Sequence, residues 1–291
     1  MNISKKPSRP KTAFGQVVSE LGQRFFTHDV GRDSAALSYY FLFAIFPLLI
    51  LISLLVGLLH VNIESTSALL SQMIPADVVG VIENYLSYVS GLRSPKMLWF
   101  CMIFSIWFPM RAINCLTHSI RKAFGRGNPD SPLKNQFFLF LAALVLILVI
   151  SFSLSLIVIG RRVLEFAARF ITLSKGFITV WNYGRFAVLF VIILLSISAI
   201  YFLAVGRRMP WKDVLPGVLF SVVAWTLFSV IFSYYVEHFG NYSILYGSIA
   251  TIVVVLLWLF MTSTVLVLGA ELSAVLTQRR HDKDSSREVN T

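Results

Sequence analysis

The side chains in this sequence that could catalyse a reaction or bind a metal are few and scattered. The five histidines lie at positions 28, 60, 118, 238 and 281, and no two of them have the spacing of metal ligands. The sequence contains no H-E-x-x-H, G-x-S-x-G, P-loop or G-x-G-x-x-G motif. Its carboxylates form no cluster of the kind that holds the metal ions of a nuclease. We therefore expect no catalytic, metal-binding or cofactor-binding site, and no ribonuclease activity.

Two charged residues stand out because they lie in or beside apolar stretches. Glu271 lies at the end of the long apolar run in VLVLGAELSAV, and Arg111 lies within another apolar stretch. An ionisable side chain at membrane depth is costly and therefore faces a partner or a water-filled cavity. Glu271 could form a structural ion pair, with Arg279 or with a basic residue of 111–126, or it could line a transport path. Arg111 could extend to the cytoplasmic interface or line the same path.

Small residues flank Glu271 at helical spacing. Gly269 and Ser273 are four residues apart, and so are Ala270 and Ala274. Small residues with this spacing allow two membrane helices to approach closely. We therefore expect Glu271 to face the helix bundle rather than lipid.

The elements that must position these residues are membrane spans. Hydrophobic residues make up 57% of the chain and charged residues only 13%, far from the average of a soluble protein. A spanning helix needs about 20 predominantly apolar residues. We predict an all-α integral membrane protein with six transmembrane helices, at about 34–59, 97–119, 136–160, 186–206, 214–236 and 242–270.

The distribution of basic residues predicts the orientation. The N-terminal segment, the connection 111–136, the loop 207–213 and the C-terminal tail carry most of the lysines and arginines outside the spans. By the positive-inside rule, both termini should be cytoplasmic. The basic connection 161–185 runs against this topology and could instead be an interfacial helix. The net charge of +11 is explained by orientation and by attraction to anionic lipids, so nucleic-acid binding is not expected.

Three regions are predicted outside the spans. Residues 1–33 form a cytoplasmic segment with an amphipathic helix, which we expect to lie on the membrane surface and to position the first span. The connection 60–96 has two helical stretches and predicts a small helical cap on the outer face. The tail 277–291 is polar and is predicted to be disordered. The six spans and their connections then form one membrane domain, 34–276.

Prolines and one polar turn add to this interpretation. Pro47 lies well inside the first span, Pro109 lies in the second, and Pro216 opens or interrupts the fifth. Such breaks are tolerated where neighbouring helices or a cavity satisfy the freed carbonyls, so they favour an internal cavity. The segment 236–248, which includes Tyr246, is either an external turn with interfacial tyrosines or part of a site.

Three stretches of the sequence resemble a known family. AALSYYFLFAIFPLLIL in the first span, RRMPWKDVLPGVLFSVVAW at the start of the fifth, and YSILYGSIATIVVVLLWLFMTSTVLVLGAELSAVL in the last are similar to the YihY/BrkB family of bacterial inner-membrane proteins. The resemblance implies a six-helix membrane protein with cytoplasmic termini. Members of the family have carried a ribonuclease label, and some are suspected of moving lipids or lipid-linked glycans. The residues that match the family pattern are Tyr39, Pro47, Tyr246, Gly247, Trp258, Gly269 and Glu271.

Two functions remain open from the sequence. The first is a transporter or flippase of lipid-like or amphipathic anionic substrates, working with anionic membrane lipids in a bacterial inner membrane. The second is a structural or scaffolding protein of the cell envelope, and either function is compatible with a homo-oligomer. The residues expected to line a cavity or transport path are Tyr39, Pro47, Arg111, Tyr246, Trp258 and Glu271.

Overall fold

The computed structural model describes residues 12–58, 95–127, 131–167, 175–205, 210–239 and 248–288. These residues form seven α-helices, with no strand among them. An all-helical fold is therefore confirmed for the described part of the chain. The helices are α1 Ala13–Thr27, α2 Val30–Leu58, α3 Pro95–Ala123, α4 Pro132–Ala167, α5 Lys175–Val205, α6 Trp211–Phe239 and α7 Ser248–Glu288.

Four of these helices contain a segment that is long and apolar enough to cross a membrane. The segments are Trp99–Ala123, Pro132–Val149, Trp211–Val236 and Ile252–Asp282, and a shorter apolar segment covers Phe190–Val205. The count of six spans stays a prediction. The predicted outer cap 60–96 lies almost wholly outside the described residues.

Helix α6 exposes large apolar side chains along most of its length. A soluble protein rarely exposes an apolar patch of this extent. Lipid tails would cover such a surface without loss of free energy, because they are as apolar as the side chains. The exposed residues are Leu215, Leu219, Phe220, Val223, Leu227, Val230, Ile231, Tyr234 and Tyr235.

The chain divides into two compact units. The first unit comprises Met1–Tyr39, Asn114–Asp130 and Ser196–Thr291, and the second comprises Tyr40–Ile113 and Ser131–Leu195. In the second unit, Ile113 of α3 packs with Leu139 and Ala143 of α4, and four partly buried apolar residues surround them. The predicted division into 1–33, 34–276 and 277–291 is a division by membrane topology and stays a prediction.

The predicted disordered tail is wrong for most of its length. Helix α7 continues through most of 277–291, because a helix that is already nucleated gains one hydrogen bond for each residue it adds. Two ion pairs hold the extension. Arg279 Nη2 lies 3.0 Å from Glu20 Oε2 of α1, and Arg280 Nη1 lies 3.3 Å from Asp213 Oδ1 of α6.

The long basic connection 161–185 is also corrected. Helix α4 continues to Ala167 and α5 begins at Lys175, so the connection is no longer than residues 168–174. The predicted spans end at charged residues, but the apolar residues of 163–167 and 177–181 extend the two helices beyond those charges. The basic residues at both ends of the predicted loop therefore lie on helices.

Helices α6 and α7 cross at two glycines. A Cβ built on Gly217 would overlap the carbonyl oxygen of Gly269 and lie 2.8 Å from its carbonyl carbon. A Cβ on Gly269 would lie 2.6 Å from the Gly217 carbonyl oxygen. Ser273 Oγ seals the crossing, because it accepts from the Gly217 amide at 2.9 Å and donates to the Val214 carbonyl at 2.9 Å. The close packing expected from the small residues beside Glu271 is confirmed.

Candidate functional site

The first functional element is the short helix α1 and the turn that follows it. Thr12 caps the helix with extended backbone, and its Oγ1 accepts from the Gly15 amide at 3.2 Å. The helix ends at His28, and Asp29 adopts a positive φ of 54° that its short polar side chain tolerates. Helix α2 begins at once with Val30. This tight turn places the His28 side chain at the end of α1.

Glu271 is buried and paired with two side chains from α1 and its C-cap. Only 1% of the residue is accessible. Its Oε1 lies 2.6 Å from His28 Nδ1, and its Oε2 accepts from Arg24 Nη1 at 3.4 Å. An ionised carboxylate can only accept, so the first contact requires a hydrogen on Nδ1. The structure thus gives Glu271 basic partners, but they are neither Arg279 nor a residue of 111–126.

Arg24 joins this pair to one further helix, α3, and makes additional contacts within α1 and α7. Its Nη1 also donates to the Ala123 carbonyl at the end of α3 at 3.2 Å, and its Nη2 donates to Gln278 Oε1 at 2.8 Å and Glu20 Oε1 at 3.2 Å. Glu20 in turn accepts from Arg279. We call Glu20, Arg24, His28, Glu271 and Arg279 the Glu271 cluster. It fastens α1 to the C-terminal half of α7.

The energetics of the Glu271 cluster favour a docked α1. Removing one partner of a buried ion pair costs about 3–5 kcal/mol, because the remaining charge is left without compensation. The cost here lies at the lower end, since Arg24 and His28 keep part of their side chains in solvent while Glu271 does not. The Glu271 cluster therefore holds α1 against α7.

The end of α3 contributes a third basic side chain. Helix α3 closes with Gly125 at a φ of 61°, where the Arg126 amide donates to the Arg121 carbonyl at 2.7 Å and the Gly125 amide donates to the Lys122 carbonyl at 3.0 Å. This is a Schellman motif, for which glycine is favoured because of the left-handed backbone. Lys122 Nζ donates to the His28 carbonyl, so α3 ends against the α1–α2 turn.

These elements line an open pocket of about 450 Å³, within the volume range of small-molecule sites. We call it the basic pocket. All of its lining residues belong to the first unit, and no carboxylate is among them. They are Arg24, His28, Lys122, Ala123, Phe124, Gly125, Ala274, Thr277 and Gln278.

Arg111 belongs to the second unit and is not a member of the Glu271 cluster. Its guanidinium carbon lies 5.8 Å from the centre of the Tyr40 ring, which is within the range of a cation–π contact. The side chain is partly buried in the middle of a long apolar helix. A role of Arg111 in a transport path stays a prediction.

The remaining predicted site residues are dispersed. Tyr39 is half exposed, Pro47 is buried inside α2, and the rings of Trp258 and Trp225 lie 6.3 Å apart. Tyr246 lies outside the described residues. Among the described residues, no group of three or more histidine, cysteine, aspartate or glutamate side chains could hold a metal ion.

Sequence reasoning missed Arg24, His28 and Lys122. Arg24 shares one face of α1 with Gln16 and Glu20, at a spacing of four residues, and a polar face of this regularity indicates a partner as readily as it indicates water. His28 and Lys122 carry no comparable signal, because their roles depend on a turn and a helix end that meet only in the folded chain.

The comparison with known proteins decides the family. A model of the virulence factor BrkB family matches residues 21–290, which is nearly the whole chain. The chain belongs to the BrkB family. The ribonuclease-like protein YfkH of Bacillus subtilis is 28% identical to this chain over 269 residues, which cover 92% of this chain and 98% of YfkH. No solved structure matches the chain.

Other similar proteins are named as membrane proteins rather than as enzymes. A UPF0761 membrane protein of Chromohalobacter salexigens is 26% identical over 273 residues, covering 90% of this BrkB-family chain and 63% of its own. A UPF0761 membrane protein of Pseudoalteromonas translucida is 35% identical over 78 residues, 27% of this chain and 26% of its own. With several apolar helices, the BrkB-family chain is a multi-pass membrane protein.

Proposed function

We propose that this protein is a six-span transporter or flippase of amphipathic anionic substrates in a bacterial inner membrane, with both termini in the cytoplasm. The observation that carries the proposal is the buried Glu271, held by Arg24 and His28 beside the basic pocket. Ionisable groups inside membrane proteins are expensive and mark substrate and ion pathways. A buried ion pair is weak evidence for stability, because apolar residues of similar volume often replace it without loss.

In this proposal the Glu271 cluster works as a latch. An anionic headgroup that reaches Arg24 and His28 competes with Glu271 for their donors, and α1 then loosens from α7. The end of α7 beside the pocket becomes accessible, and the carboxylate recaptures its partners once the headgroup leaves. The sequence holds no ATP-binding motif, so the movement is passive or driven by a gradient.

The test is scrambling of fluorescent anionic phospholipid in proteoliposomes that contain the full chain. We expect activity above empty liposomes, loss of most of it in Glu271→Gln, a decrease in Arg111→Ala, and no change in Lys212→Gln. Lys212 is an exposed lysine at the start of α6 and serves as the matched control. Thermal unfolding in detergent shows that each variant is folded. No scrambling across several anionic headgroups would refute transport of lipids.

The alternative is a scaffold of the cell envelope, and one feature of α1 favours it. Phe14, Val18, Gly22 and Phe26 form an exposed ridge along the helix, with Phe14 and Phe26 each 79% accessible. A scaffold would use this ridge to bind a partner or the bilayer surface. Replacing Phe14 and Phe26 by serine should then abolish binding to that partner or to the bilayer surface, while the wild-type protein scrambles lipid no faster than empty liposomes. A variant that still binds excludes the scaffold.

A further inference from the structure

The basic pocket combines three nitrogen-bearing side chains with a boundary free of acids. Arg24, His28 and Lys122 come from α1, its C-cap and the end of α3, and none of the nine lining residues is a carboxylate. Glu271 contacts Arg24 and His28 from the buried side but does not line the pocket. We infer that the basic pocket is a binding site for a phosphate group, carried on a lipid headgroup or on a soluble compound.

The donors needed for a phosphate are present on these side chains. A guanidinium has five N–H donors and an ammonium has three, and phosphate oxygens accept charge-assisted hydrogen bonds from both. Four of the Arg24 donors are used within the protein, on Nη1 and Nη2, which leaves the Nε donor for a ligand. Lys122 Nζ donates to the His28 carbonyl and lies 3.9 Å from Asp29 Oδ2, which leaves one of its donors for a ligand. Its side chain and that of His28 are about three-tenths exposed, so both are reachable from the pocket.

Thr277 provides an independent indication of a ligand. The residue lines the pocket and is only 4% accessible, yet its Oγ1 has no hydrogen-bond partner among the described residues. A buried hydroxyl without a partner is costly in a folded protein, whereas valine would fill the same volume without that cost. The Oγ1 atom has almost no accessible surface, so a ligand oxygen in the pocket would satisfy this hydroxyl once the Thr277 side chain turns toward it.

The phosphate site also defines the substrate class of the proposed transporter. This step rests on the proposed function only for the claim that the bound group is transported, because binding itself is measured separately. The pocket lies at Ala123, where the apolar segment of α3 ends, and beside Thr277, within the last two turns of the apolar segment of α7, which ends at Asp282. A headgroup phosphate would therefore enter while its acyl chains remain beside apolar helices.

The experiment is calorimetric titration of the detergent-solubilised full chain with three probes. Dioctanoyl phosphatidic acid carries the phosphate on a lipid, inorganic phosphate carries it alone, and dioctanoylglycerol has the same acyl chains without phosphate. We expect the phosphatidic acid to bind and dioctanoylglycerol not to bind. Binding of inorganic phosphate with equal affinity would keep the phosphate site but exclude the lipid as its source.

The variants separate a ligand contact from a structural role. Lys122→Gln should weaken binding about tenfold or more, because it removes one charge-assisted donor, and Lys122→Arg should retain binding. Thr277→Val should weaken binding while the ligand-free protein unfolds at the same or a higher temperature. Lys212→Gln, an exposed control, should bind as wild type.

Two outcomes overturn the inference. One is equal affinity of Lys122→Gln and Lys212→Gln for the phosphatidic acid, and the other is binding of dioctanoylglycerol as tightly as the phosphatidic acid. The proposed function fails separately. Phosphate binding that depends on Lys122, together with no scrambling by the wild-type protein, would keep the site and refute the transporter.

Discussion

Replacing Gly217 by alanine is the sharpest test of the crossing between α6 and α7. The added Cβ would overlap the Gly269 carbonyl oxygen, which is a backbone atom that cannot rotate away. The helices must therefore separate, and the buried hydrogen bond from the Gly217 amide to Ser273 Oγ is strained or lost. Ser273 Oγ also lies close to the new Cβ, so its hydrogen bond to the Val214 carbonyl is disturbed as well.

The size of the effect follows from three contributions. Overpacking a close contact costs about 1–3 kcal/mol and losing a buried hydrogen bond costs about 1 kcal/mol, while alanine returns about 0.5–1 kcal/mol of helix propensity. We expect Gly217→Ala to destabilise the protein by about 1–3.5 kcal/mol on this basis. By the scaling known for soluble domains, Tm should fall by roughly 2–14 °C.

The assay is thermal unfolding in detergent, followed by the fluorescence of the six tryptophans. Gly22→Ala in α1 is the matched control, because nothing lies within 4 Å of its new Cβ and the helix interior favours alanine. That control should raise Tm slightly or leave it unchanged. A Gly217→Ala protein that unfolds within 1 °C of the wild type would refute the close crossing.

Three further perturbations test the site and its supports. Glu271→Gln should raise amide hydrogen exchange in residues 13–27 on the order of tenfold, because a neutral amide holds Arg24 less tightly; unchanged exchange there would mean that other contacts dock α1. Gly125→Ala should cost about 1 kcal/mol of stability because its φ is 61°, whereas Gly127→Ala, with open space around its Cβ, should not; equal unfolding temperatures would count against the Schellman ending. Thr12→Ala should speed exchange of the first amides of α1, through loss of a cap that contributes about 1 kcal/mol.

The burial of Glu271 could be predicted because an ionisable side chain beside an apolar run needs a partner. The small residues give less: Gly269 and Ser273 lie on the helix face that meets α6, whereas Glu271, two residues from each, lies about 200° around the helix and meets α1. The identity of its partner could not be predicted. The tail and the 111–126 segment offered nearby cations, while Arg24 is 247 residues away in sequence and reaches Glu271 only through the placement of α1.

Composition was a poor guide to the end of α7. The residues after Leu276 are polar, as in a disordered segment, but polarity describes the outer face of a helix equally well. What decides between the two is whether the charges find partners, and Arg279 and Arg280 find theirs on α1 and α6. The same holds for α1, whose polar face was expected to meet water and instead meets α7 through Glu20 and Arg24.

The pairing of α1 with α7 also sets an order of events during synthesis. Arg24 leaves the ribosome 247 residues before Glu271, which at about 5–20 residues per second is roughly 10 to 50 s. Throughout that interval the nascent chain holds an amphipathic helix whose carboxylate acceptor on the last helix does not yet exist. The final helix therefore closes the assembly, and a chain that stops short of it lacks the partners that hold its N-terminal helix at this position.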